Sequence, residues 1–462
     1  MGRRLVVVGC DAGGMAAAAA ARRLDPDLDI VALERGRWTS YSACGIPYLI
    51  GGEVKRLEDL VVRSPQELRQ RYGIDVRMRC EAVALDLDAG KIEVRNQEQN
   101  RTFHLGFDLV HLGTGARPKR PPLPGIDLPF VGGLQTLDDA AALLGHLTSA
   151  PIWAPSGIHR VVVVGGGYIG LEVAEAFVRR GAAVTIVTDT PEVMPTLDPD
   201  MGAHVTRALR GLGITVHCGA KVTGFEPGSV LTADARLPAD LVVLGLGVTP
   251  NAELAGEAGL DLGASGAVRV DRRQRTSAEE VYAAGDCCTS THLVSGREVY
   301  VALGTVTNKQ ARVAGTNLGG GHASFAGVLG TAITKVCDLE VARTGLTEAE
   351  SAAAGFSAVA ATIESTTTAG YLEAVAGPMR VKVVAERGSG LLLGAQIVGR
   401  GPGAAKRIDV VATALHARMT VEEMTHLDLS YAPPFSPVWD PVLVAARKAT
   451  EAVIAGAAGG GG

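Results

Sequence analysis

Two runs of consecutive valines each stop at a cluster of glycines, and this repeat constrains the fold more than any other feature of the chain. The first run, Arg4–Val8, leads into Gly9-Cys10-Asp11-Ala12-Gly13-Gly14, then an alanine-rich stretch to Leu24, and residues 30–33 end at Glu34. The second, Arg160–Val164, leads into Gly165-Gly166-Gly167-Tyr168-Ile169-Gly170, then a helical pattern over 171–180, and Ala183–Val187 is the next apolar run. Strand, glycine turn, helix and strand make a parallel βαβ unit, because parallel neighbours need a crossover and a helix supplies it. Glycines in such a turn let the backbone approach a pyrophosphate, and the helix behind it offers unpaired N–H groups and the positive end of its dipole. An acid at the end of the second strand accepts from ribose hydroxyls, the role expected of Glu34. In the second unit Asp189 comes one place after Thr188, and its charge would repel a 2′-phosphate, which favours NADH over NADPH. The first turn departs from the usual pattern, since Asp11 stands where the second glycine is expected. Two units imply two dinucleotides.

Later stretches fit the same plan. Residues 108–115 (Asp-Leu-Val-His-Leu-Gly-Thr-Gly) and 240–250 (Asp-Leu-Val-Val-Leu-Gly-Leu-Gly-Val-Thr-Pro) read as strands closed by glycine turns. Residues 276–286 end Val-Tyr-Ala-Ala-Gly-Asp, which delivers Asp286 past a glycine to a closely approaching ligand. Asp286 also suits the N-cap of a helix beginning behind it. From about residue 326 the texture changes: 380–385 and 391–398 alternate as antiparallel strands, while 404–418 and 421–427 read as helices. The glycine-rich end, 453–462, reads as a flexible tail.

Charge and hydropathy exclude broad classes. A net charge of -5 without a basic block makes nucleic acid an unexpected partner. No apolar run reaches the ~18 residues of a membrane span, and the run after Arg3-Arg4 is too short for a signal peptide, so no membrane partner and a cytoplasmic location are expected. The seven cysteines have neither paired nor histidine-linked spacing, so no metal and no disulfide framework are expected. Cys10 and the adjacent Cys287 and Cys288 read as small packing residues, and Cys80, Cys218 and Cys337 as strand or core residues. His104, His111, His159, His416 and His426 show no metal spacing.

Cys44 differs from the others. It lies in Ser40-Tyr41-Ser42-Ala43-Cys44-Gly45-Ile46-Pro47-Tyr48, a nearly uncharged stretch a few residues beyond the first βαβ unit, with a helix-permissive run behind it. That placement suits a redox sulfur held against a flavin. The thiolate is the reactive form, and a helix start with basic surroundings is expected to lower its pKa.

The motifs in this order resemble the flavoprotein pyridine nucleotide–disulfide oxidoreductases over nearly the whole chain. The single Cys44 looks like coenzyme A-disulfide reductases, NADH oxidases and NADH peroxidases rather than the two-cysteine glutathione and lipoamide reductases. The resemblance implies an α/β fold with two Rossmann-like dinucleotide-binding domains, one inserted in the other, plus a C-terminal α+β dimerisation domain. Its boundaries are 1–115 with 250–325 for FAD, 116–249 for NAD(P)H, 326–450 for dimerisation, and 451–462 for the tail. It implies FAD contacts from Gly9, Ala12, Gly13, Gly14, Glu34, Arg35, Val83, Thr114, Gly115, Gly285, Asp286, Ala302 and Phe435. For NADH or NADPH it implies Gly165, Gly167, Tyr168, Ile169, Gly170, Glu172, Asp189, Gly245 and Gly247.

The resemblance also implies a homodimer with a shared active site, in which Tyr371 and Tyr431 of one subunit assist Cys44 of the other and residues 431–441 reach the partner's flavin. Oxidases and peroxidases of this group carry a histidine inside the first glycine turn; Ala12 stands at that position here, which disfavours peroxide and four-electron oxygen chemistry. Ala20 and Ala43 replace a glutamine and an asparagine that contact coenzyme A in the family, leaving Arg22, Arg23, Ser40 and Lys309 as substrate contacts. No rhodanese module is visible, so a fused persulfide-transferring architecture is not expected. The expected activity is therefore FAD-dependent, NAD(P)H-driven reduction of coenzyme A disulfide or a related small disulfide or persulfide. The competing readings are an NADH oxidase, a redox-sensing flavoprotein, and an electron donor to a ferredoxin, which would not need Cys44.

Overall fold

The computed structural model describes residues 2–149, 157–401 and 403–458. Two five-stranded parallel sheets lie at its centre. In the first the order is Val281–Ala283, Leu109–Leu112, Arg4–Val8, Asp29–Glu34 and Ile74–Met78. In the second it is Thr215–His217, Ala183–Val187, Arg160–Val164, Leu241–Leu244 and Val131–Gly133. Leu5, Val6 and Val7 are fully buried, as are Val161 and Val163, because helices cover one face of each sheet and a small antiparallel sheet covers the other, which leaves no polar side. The valine runs read in the sequence are these two central strands.

The first sheet draws its edge strand Val281–Ala283 from beyond the whole second sheet, so one unit is inserted in the other. Antiparallel Ala116–Pro118 and Val248–Pro250 pair where the chain leaves and re-enters. Each unit also carries a three-stranded antiparallel sheet, over residues 80–106 and 222–238.

The third domain is one antiparallel sheet, ordered Ala332–Val336, Leu339–Gly345, Leu392–Arg400, Pro378–Glu386 and Ala358–Thr366. Helices Ile408–His416 and Pro441–Ala458 pack on it through Val411, Val442, Ala445 and Ala449. A buried lysine fastens this domain to the second dinucleotide unit. Lys382 Nζ lies 3.1 Å from Asp198 and 2.8 Å from Asp200, and it also pairs with Glu348. Gln396 exchanges two hydrogen bonds with Asp198, at 2.8 and 2.6 Å. The three carboxylates are grouped closely enough to hold a cation, and the lysine ammonium already supplies that charge.

Two expectations are corrected here. Residues 451–458 belong to the last helix rather than a tail, because its alanines favour helix and Ala449 anchors its buried face; residues 459–462 lie outside the described residues. No helix starts behind Asp286 either: the chain there turns into the short strand Ser290–Thr291. No helix among the described residues is long and apolar enough to cross a membrane.

Candidate active site

The two glycine turns are built alike. Gly9 has φ +96° and Gly165 has φ +110°, and a Cβ on either would lie 2.2 or 2.3 Å from the carbonyl oxygen of Gly113 or Gly245. Gly14 and Gly170 press against the carbonyls of Gly9 and Gly165 in turn. Each turn is thus wedged against the end of a neighbouring strand, and its helix begins at Ala12 or Tyr168. Space lies open in front: a Cβ at Gly115, Gly167 or Gly247 would meet nothing within 4 Å. These open positions stand at the carboxyl ends of the strands, where α/β sheets take their ligands. The residues present therefore fit two dinucleotides.

Around the first turn, Glu34 accepts from Cys10 N at 2.9 Å and from Gly36 N at 2.6 Å, so the expected ribose acceptor also braces the turn. Arg35 is exposed beside it. Val83 sits at a register shift in the strand Cys80–Asp86, out of the regular ladder. Thr114 Oγ1 donates to Asn251 O at 2.6 Å, which ties the turn at Gly115 to the chain returning from the inserted unit. Asp286 accepts from Thr307 Oγ1 at 3.1 Å, and Tyr300 OH donates to its backbone oxygen at 2.8 Å. Thr307 also fills the space beside Gly285, 2.9 Å from where a Cβ would stand. Burial pushes the Asp286 carboxyl up. Ala302 is half-buried just before helix Gly304–Leu318.

Hydrogen bonds pin the redox stretch to the first turn. Thr39 Oγ1 and Ser40 N both donate to Cys10 O, at 2.6 and 2.9 Å, and Tyr41 N donates to Asp11 Oδ1 at 3.0 Å. Cys44 follows in a single tight turn, Ala43–Gly45, ahead of the short helix Ile46–Gly51. It is exposed, whereas Cys10, Cys80, Cys287 and Cys288 are buried, and all the described cysteines are free. The thiols of Cys287 and Cys288 point at backbone carbonyls, in keeping with packing roles.

The electrostatics around Cys44 reverse the expectation of a basic setting. Partial burial, then the charges of Glu172, Asp286 and Asp11, push its thiol up. Glu172 is brought there by helix packing. Helix Tyr168–Arg179 lies against Ile46–Gly51, with Arg180 Nε donating to Ile50 O and Arg179 paired to Glu53 at 2.9 Å. Its other face meets the third domain, where Thr334 Oγ1 donates to Glu172 at 2.8 Å and Lys335 pairs with Glu175 at 2.8 Å. Burial pushes the Glu172 carboxyl up too. Redox stretch, coenzyme helix and third domain are thus stacked in contact.

The remaining predicted residues divide. Tyr168 OH accepts from Thr196 Oγ1 at 3.4 Å, and Ile169 is half-buried beside it. Asp189 is exposed just past Ala183–Val187. Tyr371 and Tyr431 lie near one another on the third domain's surface, and desolvation, then the nearness of Tyr431, pushes the Tyr371 hydroxyl up. They and Phe435 stay exposed, at 72, 47 and 76%. Neither tyrosine is among the groups acting on Cys44 of its own chain.

Arg22 is tied to its own chain. Its guanidinium donates to the carbonyls of Tyr72, Pro26 and Gly73, a clasp at the end of helix Ala12–Leu24 that still leaves two of its N–H groups free to donate. Arg23 and Lys309 are exposed. Ser40 is held at φ 49°, and its carbonyl accepts from Val62 N at 2.7 Å. Two cations escaped the sequence reading: Arg63 and Arg71 lie 5.4 and 5.6 Å from the ring centre of Tyr72, in the segment that Val62 joins to Ser40. Their separation from the cysteine along the chain left no local signal.

Two dinucleotide cradles facing one exposed cysteine define a class: an oxidoreductase that passes reducing equivalents from one nucleotide cofactor through another to sulfur. Comparison with known proteins places it further. Residues 3–313 match the family model described as pyridine nucleotide-disulphide oxidoreductase, and 331–441 match the dimerisation domain of the same family. The chain belongs to the pyridine nucleotide-disulphide oxidoreductase family. It is 35% identical over 451 residues to an NAD(P)H sulfur oxidoreductase (CoA-dependent) of Pyrococcus furiosus, covering 96% of this chain and 98% of the relative. It is 28% identical to a coenzyme A disulfide reductase of Staphylococcus haemolyticus, covering 97% and 100%. The solved structure of an NAD-dependent persulfide reductase from A. fulgidus superposes with a TM-score of 0.93 at 36% identity, covering 98% of this chain and 84% of that one. The protein is thus an FAD-dependent enzyme that uses NAD(P)H, with a C-terminal dimerisation domain.

Proposed function

We propose that this enzyme uses NADH to reduce coenzyme A disulfide, or a persulfide of coenzyme A, through Cys44. The carrying observation is that Cys44 is the one exposed thiol among the described cysteines outside the half-buried pair Cys218 and Cys337, and that it lies between the first glycine turn and the coenzyme helix. Glu34, Thr114 and Asp286 would hold FAD, with Tyr168, Glu172 and the open Gly167 receiving the nicotinamide coenzyme. The bound flavin supplies two-electron transfer between nicotinamide and sulfur. The exposed Asp189 supports NADH.

The chain's own residues do the rest. The Cys44 thiolate attacks one sulfur of the substrate disulfide, so a mixed disulfide forms as the first thiolate leaves. A pair of electrons then cleaves that bond, and the second thiol departs. Its proton comes from the Tyr371–Tyr431 pair of the partner subunit, whose exposure on one chain suits a site completed in a homodimer. Arg23, Lys309, Arg63 and Arg71 would meet the phosphates of coenzyme A, with Ser40 on the path to Cys44. The names of the relatives, sulfur oxidoreductase (CoA-dependent) and coenzyme A disulfide reductase, support this substrate class.

The test is anaerobic oxidation of NADH and NADPH by the yellow protein, with and without coenzyme A disulfide or polysulfide plus coenzyme A. Turnover should depend on the sulfur substrate and fall to background in Cys44→Ser, with flavin retained. Consumption that no sulfur compound stimulates, and that starts only when air is admitted, would replace this reading by an oxidase.

A further inference from the structure

We propose that Asp11 takes up a proton when FAD binds, so that retention of the flavin is linked to pH. The inference rests on FAD occupying the first glycine turn. Asp11 immediately precedes helix Ala12–Leu24, and a pyrophosphate at this turn sits on that helix's first N–H groups. A carboxylate and a pyrophosphate dianion would then share one helix end. The Asp11 side chain cannot swing clear without cost, because Oδ1 accepts the Tyr41 N–H at 3.0 Å and so ties the redox stretch to the turn.

Among the described residues, the titratable groups that act most strongly on Asp11 or are acted on by it include no cation. They are Glu34 at the end of the neighbouring strand, Asp286 beyond the edge strand, Cys10 beside it in the turn, and Tyr41 and Cys44 on the redox stretch. Burial, with smaller contributions from Glu34 and Asp286, pushes the carboxyl up to about 6, against the two N–H groups of Tyr41 and Ala12 that favour its charged form. Phosphate charge at the same helix end raises it further. The reaction is the uptake of one solvent proton by the carboxylate, with no electron moved. The protonated acid keeps the Tyr41 bond through its carbonyl oxygen and gains an O–H to donate to a phosphate oxygen.

The sign follows from linkage. Asp11 has a higher pKa with FAD bound than without, so FAD is held tightest at low pH. Between the two pKa values retention weakens by up to tenfold per pH unit, the slope of one proton.

The experiment follows release of FAD from the holoenzyme by the fluorescence of the freed flavin, from about pH 6 to about pH 9. At equilibrium the dissociation constant of FAD from wild type should rise with pH, by up to tenfold per unit, while Asp11→Asn stays yellow with a flat profile. Asp11→Ser, which keeps a small hydrogen-bonding residue before the helix, takes its place if the asparagine form does not fold. A flat wild-type profile, or an unchanged slope in the variant, overturns the proposal. Glu34→Gln separates this from the siting of FAD: it should raise the dissociation constant at every pH, and an unchanged constant in it would mean that the flavin lies elsewhere.

Discussion

The two glycine turns share a backbone and differ in what closes over them. Both wedge a left-handed glycine against a neighbouring strand's carbonyl, and both bring the third residue of the following helix against the turn itself. The residue before the helix is Asp11 in one and Gly167 in the other. Asp11 is bonded to the redox stretch, whereas a side chain at Gly167 would face open space. The strands behind them differ at one matched place as well. His111 in Leu109–Leu112 pairs with Val7, and its counterpart Val243 in Leu241–Leu244 pairs with Val163. The first cradle has the stretch around Cys44 bonded across its turn and suits a cofactor that stays, while the second carries no side chain at that place and suits a coenzyme that must arrive and leave. Backbone geometry makes a dinucleotide site; the side chains around it set the residence time.

The largest effect should come from breaking what the turns share. Gly14→Ala and Gly170→Ala place a Cβ 1.8 and 2.3 Å from a backbone carbonyl oxygen, which cannot move without displacing the turn. Each should destabilise its unit by about 3 kcal/mol or more, read as a lowered denaturation midpoint, and the first should also cost flavin. Equal tolerance at both sites would dissolve the comparison.

The next effect should come from His111, which is fully buried and whose ring nitrogens make no full hydrogen bond among the described residues, the Gly13 backbone lying nearest. Burial pushes its pKa down to about 4, only partly offset by the Gly13 backbone. The folded state therefore binds fewer protons than the unfolded one below about pH 6.5. Stability contributed above that pH is lost as pH falls toward 4, by at most about 3 kcal/mol. His111→Val, which copies Val243, should flatten this acid loss in denaturant melts compared at about pH 7 and about pH 5. An unchanged acid dependence would show that the imidazole is not the group responsible.

The smallest effect should come from Gly167→Ala. The added methyl meets no protein atom, so stability should change by less than about 1 kcal/mol. It should intrude on the coenzyme instead, raising KM for NADH severalfold while flavin content stays full. A loss of flavin would assign the wrong dinucleotide to this turn.

The glycine turns, Glu34 and the place of Cys44 were legible because each is a local constraint: a short apolar run, a turn only glycine can make, and a cysteine with little charge nearby. The helix expected behind Asp286 was misread because an acid after a glycine signals a cap, yet here its partner is Thr307 on a helix further along the chain. The tail was misread because terminal glycines masked the alanines that carry helix Pro441–Ala458. The tether of Arg22 was not legible because nothing nearby in sequence announces the carbonyls of Tyr72 and Gly73.

The sequence by itself determined the two glycine-turn units and set Cys44 apart from the other cysteines, since backbone sterics and hydrophobic period act over a few residues at a time. Only the tertiary structure decided the charge around that cysteine. Glu172, Asp286 and Asp11 come from three distant stretches, and electrostatic energy depends on distance in space and on burial, neither of which is written along the chain.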